Sequence, residues 1–295
     1  MSEGTFLISG ATGSTGREAV NVLRKHGRKV RAMLHRDDGR AEAVRKTGAE
    51  TRVADMLDLN SVRAALEGVT AVYFVYPFRD GLLDATAFMA QAAKEAGVKA
   101  IVNMSQISAR REAKSHRARD HWVSERVFDW SGTPTTHLRP TFFAEWLLYP
   151  YPGWNVKEGI LRFPLGEGHH APIAAFDQGR VIAAILENPK PHAGAVYKLF
   201  GREELNHHQI AAKLSATLGR PFRYEPMSIP DFAALMESAG MSPLFVQHIR
   251  SVAQDYLDGI FSGTNDVVER LTGEPPLTIE QFAEMNRASR PIQLD

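Results

Sequence analysis

The sequence contains no cysteine, almost no net charge and no long apolar run, and each absence excludes a class of function. Without cysteine the chain of 295 residues has no disulfide, no thiolate metal site and no cysteine nucleophile. A formal net charge of +1 gives no reason to expect nucleic acid or a membrane as a partner. No run is long enough to span a bilayer, and Met1–Gly4 does not resemble a signal peptide. We therefore expect a cytoplasmic protein.

Histidine is present in two adjacent pairs, His169-His170 and His207-His208. Neighbouring side chains diverge, and no carboxylate-rich spacing accompanies either pair, so we predict no metal site there. The composition, with 44% hydrophobic and 23% charged residues, is that of a soluble globular protein.

A glycine-rich stretch follows the first apolar run. The run ends at Gly10, and Gly13 and Gly16 follow at intervals of three before an amphipathic segment begins. This order indicates a strand, a tight turn and a helix N-terminus, in which the glycines allow the turn, the approach of a pyrophosphate and close helix packing. A glycine-rich turn without a ligand is the alternative. The strand–helix–strand pattern downstream favours a dinucleotide-binding turn.

Strands and helices alternate through the first half, which predicts an α/β fold with a Rossmann-type, doubly wound parallel sheet. After the first strand and a helix over Arg17–His26, the predicted strands are Val30–Leu34, one ending at Val53–Asp55, Ala71–Val75, Ala100–Met104 and Thr135–Leu138, and the predicted helices are Gly39–Thr47, Ser61–Leu66, Leu82–Ala96 and Asp120–Trp130. We assign residues 1–150 to an NAD(P)-binding domain, completed by segments near 172–200. Residues 151–295 are predicted to form a smaller α+β lobe that binds substrate, with helices near Gln178–Leu186, His208–Leu218, Asp231–Ser238 and Ile279–Met285.

The end of the second strand bears on the choice of cofactor. It reads His35-Arg36, with Asp37 and Asp38 following in the turn. An acidic residue here prefers the ribose 2′-hydroxyl of NAD(H), whereas arginine suits the 2′-phosphate of NADP(H). Arg36 favours NADP(H). NAD(H) remains possible if Asp37 meets the ribose and Arg36 is only a solvated turn residue.

Several motifs together resemble the NmrA-like family of atypical short-chain dehydrogenase/reductases, which includes quinone, azo-dye and triphenylmethane-dye reductases. The similarity runs nearly end to end. The motifs are Ile8-Ser9-Gly10-Ala11-Thr12-Gly13-Ser14-Thr15-Gly16, Val30-Arg31-Ala32-Met33-Leu34-His35-Arg36, His121-Trp122-Val123-Ser124-Glu125, Leu138-Arg139-Pro140-Thr141-Phe142-Phe143, and Ala211-Ala212-Lys213-Leu214 with Leu218-Gly219-Arg220-Pro221.

The resemblance implies a set of contacts around the cofactor. The implied cofactor-binding residues are Gly10, Thr12, Gly13, Ser14, Thr15, Gly16, His35, Arg36, Asp55, Met56, Val75, Tyr76, Pro77, Ser105, Gln106, Pro140 and Phe142. Asp55 and Met56 would approach the adenine, although Asp55 could equally cap a turn. Ser105 and Gln106 would lie near the nicotinamide.

The chain departs from the family pattern at the usual proton donor. Typical short-chain reductases use Tyr-x-x-x-Lys, and no such pair occurs here. His121 stands where many relatives carry the lysine, and Arg117 replaces the tyrosine. The resemblance implies that quinone and dye reductases also use histidine here, and a quinone needs little proton delivery. His121 could donate a proton or could simply pack on its helix.

Aromatic side chains supply candidates for the substrate site. Phe142, Phe143 and Trp146 could form a wall for a flat substrate, and their spacing also fits a core-facing stretch. The remaining substrate candidates are Tyr76, Phe78, Gln106 and His121. We expect the arginines of the polar loop Gln106–Arg119, Arg110, Arg111, Arg117 and Arg119, to be solvated.

These inferences predict an NADPH-dependent oxidoreductase that passes hydride directly to a quinone-like or conjugated aromatic acceptor. We expect a monomer or homodimer with a small-molecule substrate. Two alternatives stay open, namely a non-catalytic NADP(H)-binding redox sensor and a biosynthetic reductase or isomerase with a specialised substrate.

Overall fold

The computed structural model describes residues 4–147 and 158–289. The strands are β1 (Thr5–Ile8), β2 (Lys29–Leu34), β3 (Glu50–Val53), β4 (Val69–Phe74), β5 (Ala100–Met104), β6 (Thr135–Pro140), β7 (Ile160–Phe163), β8 (Val196–Leu199) and β9 (Arg223–Pro226). Seven of them form one parallel sheet in the order β3-β2-β1-β4-β5-β6-β8. The strand order reverses between β1 and β4, so a crevice opens at their carboxyl ends. The predicted Rossmann-type fold is confirmed.

Helices cover both faces of this sheet and build most of the C-terminal lobe. They are α1 (Ser14–Lys25), α2 (Gly39–Arg45), α3 (Leu59–Ala65), α4 (Leu82–Glu95), α5 (His116–Ser131), α6 (Ala175–Glu187), α7 (His207–Leu218), α8 (Ile229–Ser238), α9 (Pro243–Leu257), α10 (Val267–Thr272) and α11 (Ile279–Ser289). Many begin at a residue whose side chain accepts from a free N–H of the first turn, as expected for N-caps. These caps include Asp38, Asp58, Ser115, Asn206, Ser228 and Ser242.

The core of the sheet follows the alternation of side chains along each strand. Phe6 and Ile8 of β1 are buried with the residues of α1 and α6 on one face. Leu7 is buried on the other face with side chains of α3, α4 and α5. Because both faces are covered there, Phe6, Leu7 and Ile8 of β1 are all apolar and buried.

In the segments near residues 172–200, α6 packs beside α1 and β8 pairs with β6. The remaining lobe combines the parallel pair β7–β9 with α7, α8, α9 and α11. A domain boundary at residue 150 falls outside the described residues and stays a prediction.

Two expectations about the polar middle segment are wrong. Helix α5 begins at His116 rather than Asp120, because the Ser115 side chain accepts from the Ala118 N–H and caps it. The arginines are not all solvated. Arg110 makes an ion pair with the buried carboxylate of Asp255, and Arg117 is only 2% exposed. Helices α9 and α10 were not predicted.

Candidate cofactor-binding and active site

The glycine turn joins β1 to α1 in a conformation that only glycine allows at two positions. Gly10 has φ +58°, in the left-handed region. A Cβ on Gly16 would lie 2.3 Å from the carbonyl oxygen of Gly10, so no side chain fits there. The turn is fixed to the sheet by a 2.8 Å hydrogen bond between the hydroxyls of Thr15 and Tyr73.

The N-terminus of α1 differs from those of its neighbours. Gly13 is its N-cap residue, no side chain caps it, and its first turn holds no acidic residue. By contrast, Asp38 and Asp58 cap α2 and α3. The first N–H groups of a helix have no partner within the helix and lie at its positive end. This end of α1, with Thr12, Ser14 and Thr15 beside it, therefore fits the pyrophosphate of a dinucleotide.

The end of β2 leaves one cation unpaired. Asp37 forms an ion pair with Arg45, and Asp38 caps α2 and pairs with Arg40 at 2.6 Å. His35 and Arg36 are exposed. Among the described residues Arg36 has no hydrogen-bond or ion-pair partner. A guanidinium beside the ribose position, with both nearby carboxylates already engaged, fits a 2′-phosphate better than a 2′-hydroxyl.

Asp55 and Met56 follow β3 at the same edge of the sheet. The Asp55 carboxylate accepts a 2.9 Å hydrogen bond from the Leu57 N–H, so it does stabilise its own turn. Met56 is buried. An approach of these residues to adenine stays a prediction.

The segment after β4 is held by its own side chains. The Ser9 hydroxyl bonds to both the N–H and the carbonyl of Val75, which ties β1 to β4. The buried ring of Tyr76 places its hydroxyl 2.8 Å from the carbonyl of Asp80, to which it donates. Pro77 and Phe78 are exposed, Phe78 at 42%.

A buried ion pair lies behind the end of β5. The Ser105 hydroxyl donates to the fully buried Glu125 carboxylate at 2.6 Å, and Arg139 donates to both oxygens of that carboxylate at 2.8 and 2.6 Å. This network fixes Ser105, while Gln106 beside it is partly buried. Glu125 and Arg139 lie within the motifs that resemble the family, but no role was predicted for either residue.

One face of α5 brings Arg117 and His121 to the segment after β4. The Arg117 guanidinium donates to the carbonyls of Pro77 and Arg79 and lies 5.0 Å from the centre of the Phe78 ring. Burial lowers the pKa of His121 to about 3, and the positive charge of Arg117 adds to the effect. The His121 Nδ1 atom is buried without a hydrogen-bond partner among the described residues.

Helix α9 supplies a histidine that sequence reasoning missed. His248 shares a 2.8 Å hydrogen bond with the Ser115 hydroxyl, and its ring lies 4.9 Å from that of Phe78. Burial lowers its pKa to about 4. No local pattern marks His248, because its partners are more than a hundred residues earlier in the chain.

Aromatic rings gather after β6. Pro140 ends the strand, and Phe142 contacts Trp146 at 5.7 Å and Phe163 at 6.3 Å between ring centres. The Phe143 backbone pairs instead with Ile173. Phe142 and Trp146 therefore share one aromatic cluster. Phe143 is partly buried, and its ring does not contact this cluster within the part of the chain that the structure describes.

Most of the predicted residues follow strands and lie at one edge of the sheet, at the carboxyl ends of β1 to β6, whereas His121 lies on α5. Within residues 4–147 and 158–289, no three His, Asp or Glu side chains meet as metal ligands would. Of the helices described, none is long and apolar enough to cross a membrane.

Comparison with known proteins agrees with this architecture. The family model for the NmrA-like family matches residues 2–259. The chain belongs to the NmrA-like family. It is 30% identical to an NAD(P)H azoreductase of Xenophilus azovorans over 96% of this chain and 98% of that protein.

Two solved structures share the fold of this NmrA-like protein. The NADPH-dependent quinone oxidoreductase of Escherichia coli, solved with NADPH, superimposes with a TM-score of 0.83 at 25% identity, over 95% of this chain and 99% of the other. The triphenylmethane reductase of Citrobacter sp., solved with NADP(H), gives 0.81 at 20% identity over 95% and 99%. The second likeness concerns the fold alone.

Proposed function

We propose that this protein is an NADPH-dependent oxidoreductase that transfers hydride directly to a quinone-like or other conjugated aromatic acceptor. The azoreductase and quinone oxidoreductase relatives support NAD(P)H-dependent reduction. The unpaired Arg36 supports the phosphorylated form of the cofactor. We keep the predictions of a cytoplasmic location, of no nucleic-acid partner and of a monomer or homodimer.

The observation that carries the choice of acceptor is that no described residue beside the expected nicotinamide position offers an available acid. Arg117 holds the place of the usual tyrosine, and arginine does not give up its proton in proteins. With a pKa of about 3, His121 is neutral at physiological pH, so an imidazolium donor is disfavoured. The hydroxyls of Ser105 and Tyr76 already donate to Glu125 and Asp80. An acceptor that takes hydride without enzymic protonation suits this site.

Residues of the chain would bind the cofactor, position the nicotinamide and stabilise charge on the acceptor. NADPH supplies the hydride when bound. The N-terminus of α1 would hold the pyrophosphate and Arg36 the 2′-phosphate. The fixed ends of β4 and β5 would position the nicotinamide, and Arg117 would favour negative charge that develops on the acceptor.

The test is single-turnover oxidation of bound NADPH, followed at its nicotinamide absorbance, with a panel of quinones, azo dyes and simple ketones. We expect rapid decay with quinones or azo dyes, slower decay with NADH, and no decay with ketones. The rate should be flat between about pH 5 and about pH 8, because His121 does not titrate there.

Three other results would contradict the proposal. An inflection near about pH 6.5 that disappears in His121→Gln would restore histidine as proton donor. Tight NADPH binding without decay would favour the redox sensor. Decay with ketones only would favour a specialised biosynthetic reductase.

A further inference from the structure

Helix α6 begins beside α1 at the same edge of the sheet. Each helix leads into a strand that runs parallel to its neighbours, β2 after α1 and β8 after α6, so each begins at the edge where the strands end. The two helices are also level, because Gly179 packs directly on Glu18 and each is the fifth residue of its helix. The start of α6 therefore lies next to the end of α1 that fits the pyrophosphate.

The start of α6 is capped by a carboxyl group from another segment. Its own N-cap residue, Ala174, makes no side-chain hydrogen bond to the helix. Instead, Oε1 of Glu145 accepts a 2.8 Å hydrogen bond from the Ala175 N–H. Glu145 belongs to the short helical turn Ala144–Leu147 after β6, which packs on the apolar ring of Phe282 in α11. The second carboxyl oxygen, Oε2, is buried and has no hydrogen-bond partner among the described residues.

A second polar side chain in the first turn of α6 also lacks partners. Gln178 is fully buried, and neither atom of its amide has a hydrogen-bond partner within the part of the chain that the structure describes. Side chains of a helix lean toward its N-terminus, so this amide is directed toward the helix end beside α1. Buried polar groups normally have partners, and two such groups at one helix end indicate a polar ligand there.

The charges around Glu145 favour its neutral form. The charged neighbours that act on it are Glu18 of α1 and Asp177 of α6, and both are acidic. The nearby arginines are engaged with these two carboxylates, Arg17 with Glu18 at 3.4 Å and Arg180 with Asp177 at 2.6 Å. Burial, helped by both acidic neighbours, raises the pKa of Glu145 to about 7, although the hydrogen bond from the start of α6 opposes the shift.

We propose that Glu145, as a carboxylic acid, and Gln178 donate hydrogen bonds to the pyrophosphate of the bound cofactor. A protonated Oε2 and the Gln178 amide are donors, as phosphate oxygens require, whereas an ionised Glu145 could only accept and would repel the ligand. Binding of the dinucleotide therefore draws a proton onto Glu145, and this proton stays there while hydride is transferred. The proposal rests on the cofactor of the proposed function and not on its acceptor.

Calorimetric titration of the full-length chain with NADPH, in buffers of different ionisation enthalpy, counts the protons taken up on binding. At about pH 7 a carboxyl group that is half protonated when free and fully protonated when bound takes up about 0.5 proton. The Kd for NADPH should rise about 10-fold between about pH 7 and about pH 8.5, because the free carboxyl group ionises over this range. NADH should show the same rise, since it carries the pyrophosphate and lacks the 2′-phosphate.

Three variants locate the proton and the contact. Glu145→Gln keeps an acceptor for the helix N–H and puts an amide donor in place of the acid, so it should show no uptake and a Kd constant within about twofold over this pH range. Gln178→Leu removes the second donor and should raise the Kd for both cofactors by about 10-fold. The control, Glu237→Gln, removes an exposed carboxylate of α8 and should behave as the wild type. Circular dichroism verifies that all three are folded.

Proton uptake that Glu145→Gln abolishes and Glu237→Gln keeps supports the inference, and it does so even if no acceptor is reduced. Binding of NADPH to the wild type without proton uptake overturns the inference, and rapid quinone turnover would then leave the proposed function standing. Uptake that persists in Glu145→Gln also overturns it, because another group then binds the proton. An unchanged Kd in Gln178→Leu overturns it as well, since the start of α6 then does not contact the cofactor.

Discussion

At the scale of single residues, the site is organised by which charges are already paired. Asp37 and Asp38 lie within two residues of Arg36, yet each is paired with an arginine of α2. Their negative charge is therefore largely compensated where a cofactor ribose would lie. The N–H donors of the Arg36 guanidinium therefore remain available to a ligand.

Removal of the Arg36 guanidinium should weaken binding of the cofactor only through its 2′-phosphate. For Arg36→Ala we expect the Kd for NADPH to rise about 10-fold to 100-fold, because hydrogen bonds to charged groups contribute about 1.5–3 kcal/mol. The Kd for NADH should stay within about twofold, because NADH lacks the phosphate. Fluorescence titration with both cofactors measures the two constants.

The matched control is Arg63→Ala, since Arg63 is an exposed arginine in the last turn of α3 and is paired with Glu95. It should leave both constants unchanged. Equal weakening of NADPH and NADH by Arg36→Ala, or none, would contradict the assignment and point to Asp37 at the ribose.

At the scale of elements, the position of the proposed phosphate-binding end of α1 depends on how closely α6 packs against α1. Gly179 of α6 faces Glu18 of α1, and a Cβ there would lie 2.5 Å from the Glu18 Cβ and 2.8 Å from its backbone carbonyl carbon. Glycine at this position allows the two backbones to approach. Helix α1 is thereby held with its N-terminus at the crevice.

An alanine at this contact should destabilise the protein, although Gly→Ala inside a helix ordinarily stabilises by about 0.5–1 kcal/mol. We expect Gly179→Ala to lower the free energy of unfolding by about 1–3 kcal/mol, because the helices must separate. Urea unfolding followed by circular dichroism measures this change. Gly39→Ala is the control, since no atom lies within 4 Å of a Cβ there. If both variants have the same free energy of unfolding as the wild type, the helices are not closely packed at Gly179.

At the scale of the whole molecule, the C-terminal lobe is built around neutral buried histidines. The rings of His170 and His207 stack at 5.2 Å, and the Tyr256 hydroxyl lies 2.6 Å from Nδ1 of His170 and 3.4 Å from Nδ1 of His207. Burial lowers the pKa of His207 to about 3 and that of His170 well below its usual value. Both histidines are therefore uncharged in the folded protein.

The lobe should therefore be sensitive to acid. Above about pH 6.5 each histidine is neutral in the folded and in the unfolded chain, so the pair has no pH-dependent effect on stability. As the pH falls below that value, only the unfolded chain binds the protons, so the free energy of unfolding decreases until the folded pKa is reached. Each such histidine contributes a slope of about 1.4 kcal/mol per pH unit. Urea unfolding at several pH values measures the slope.

His207→Phe tests the origin of this slope, because it keeps an aromatic ring in a site where Nε2 has no partner among the described residues. The slope between about pH 6 and about pH 4 should decrease by about 1.4 kcal/mol per pH unit. His208→Phe, at the exposed neighbour, should keep the wild-type slope. An unchanged slope in His207→Phe would show that the acid sensitivity arises elsewhere.

The sequence by itself determined the sheet, the glycine turn and the cation at the end of β2. These features depend on neighbours along the chain: an apolar run, glycines at fixed intervals and the residues directly after a strand. The bounds of most predicted elements agree with the structure within a few residues. The start of α5 differed, because its cap at Ser115 lies within a polar stretch that resembles a loop.

Only the tertiary structure decided the character of the active site. The burial of Arg117 depends on carbonyls of Pro77 and Arg79, and the network of Ser105 joins Glu125 and Arg139 from two other elements. The low pKa of His121 likewise arises from the packing of segments far apart in the chain. Burial and desolvation are properties of the assembled interior, so the local sequence does not determine them.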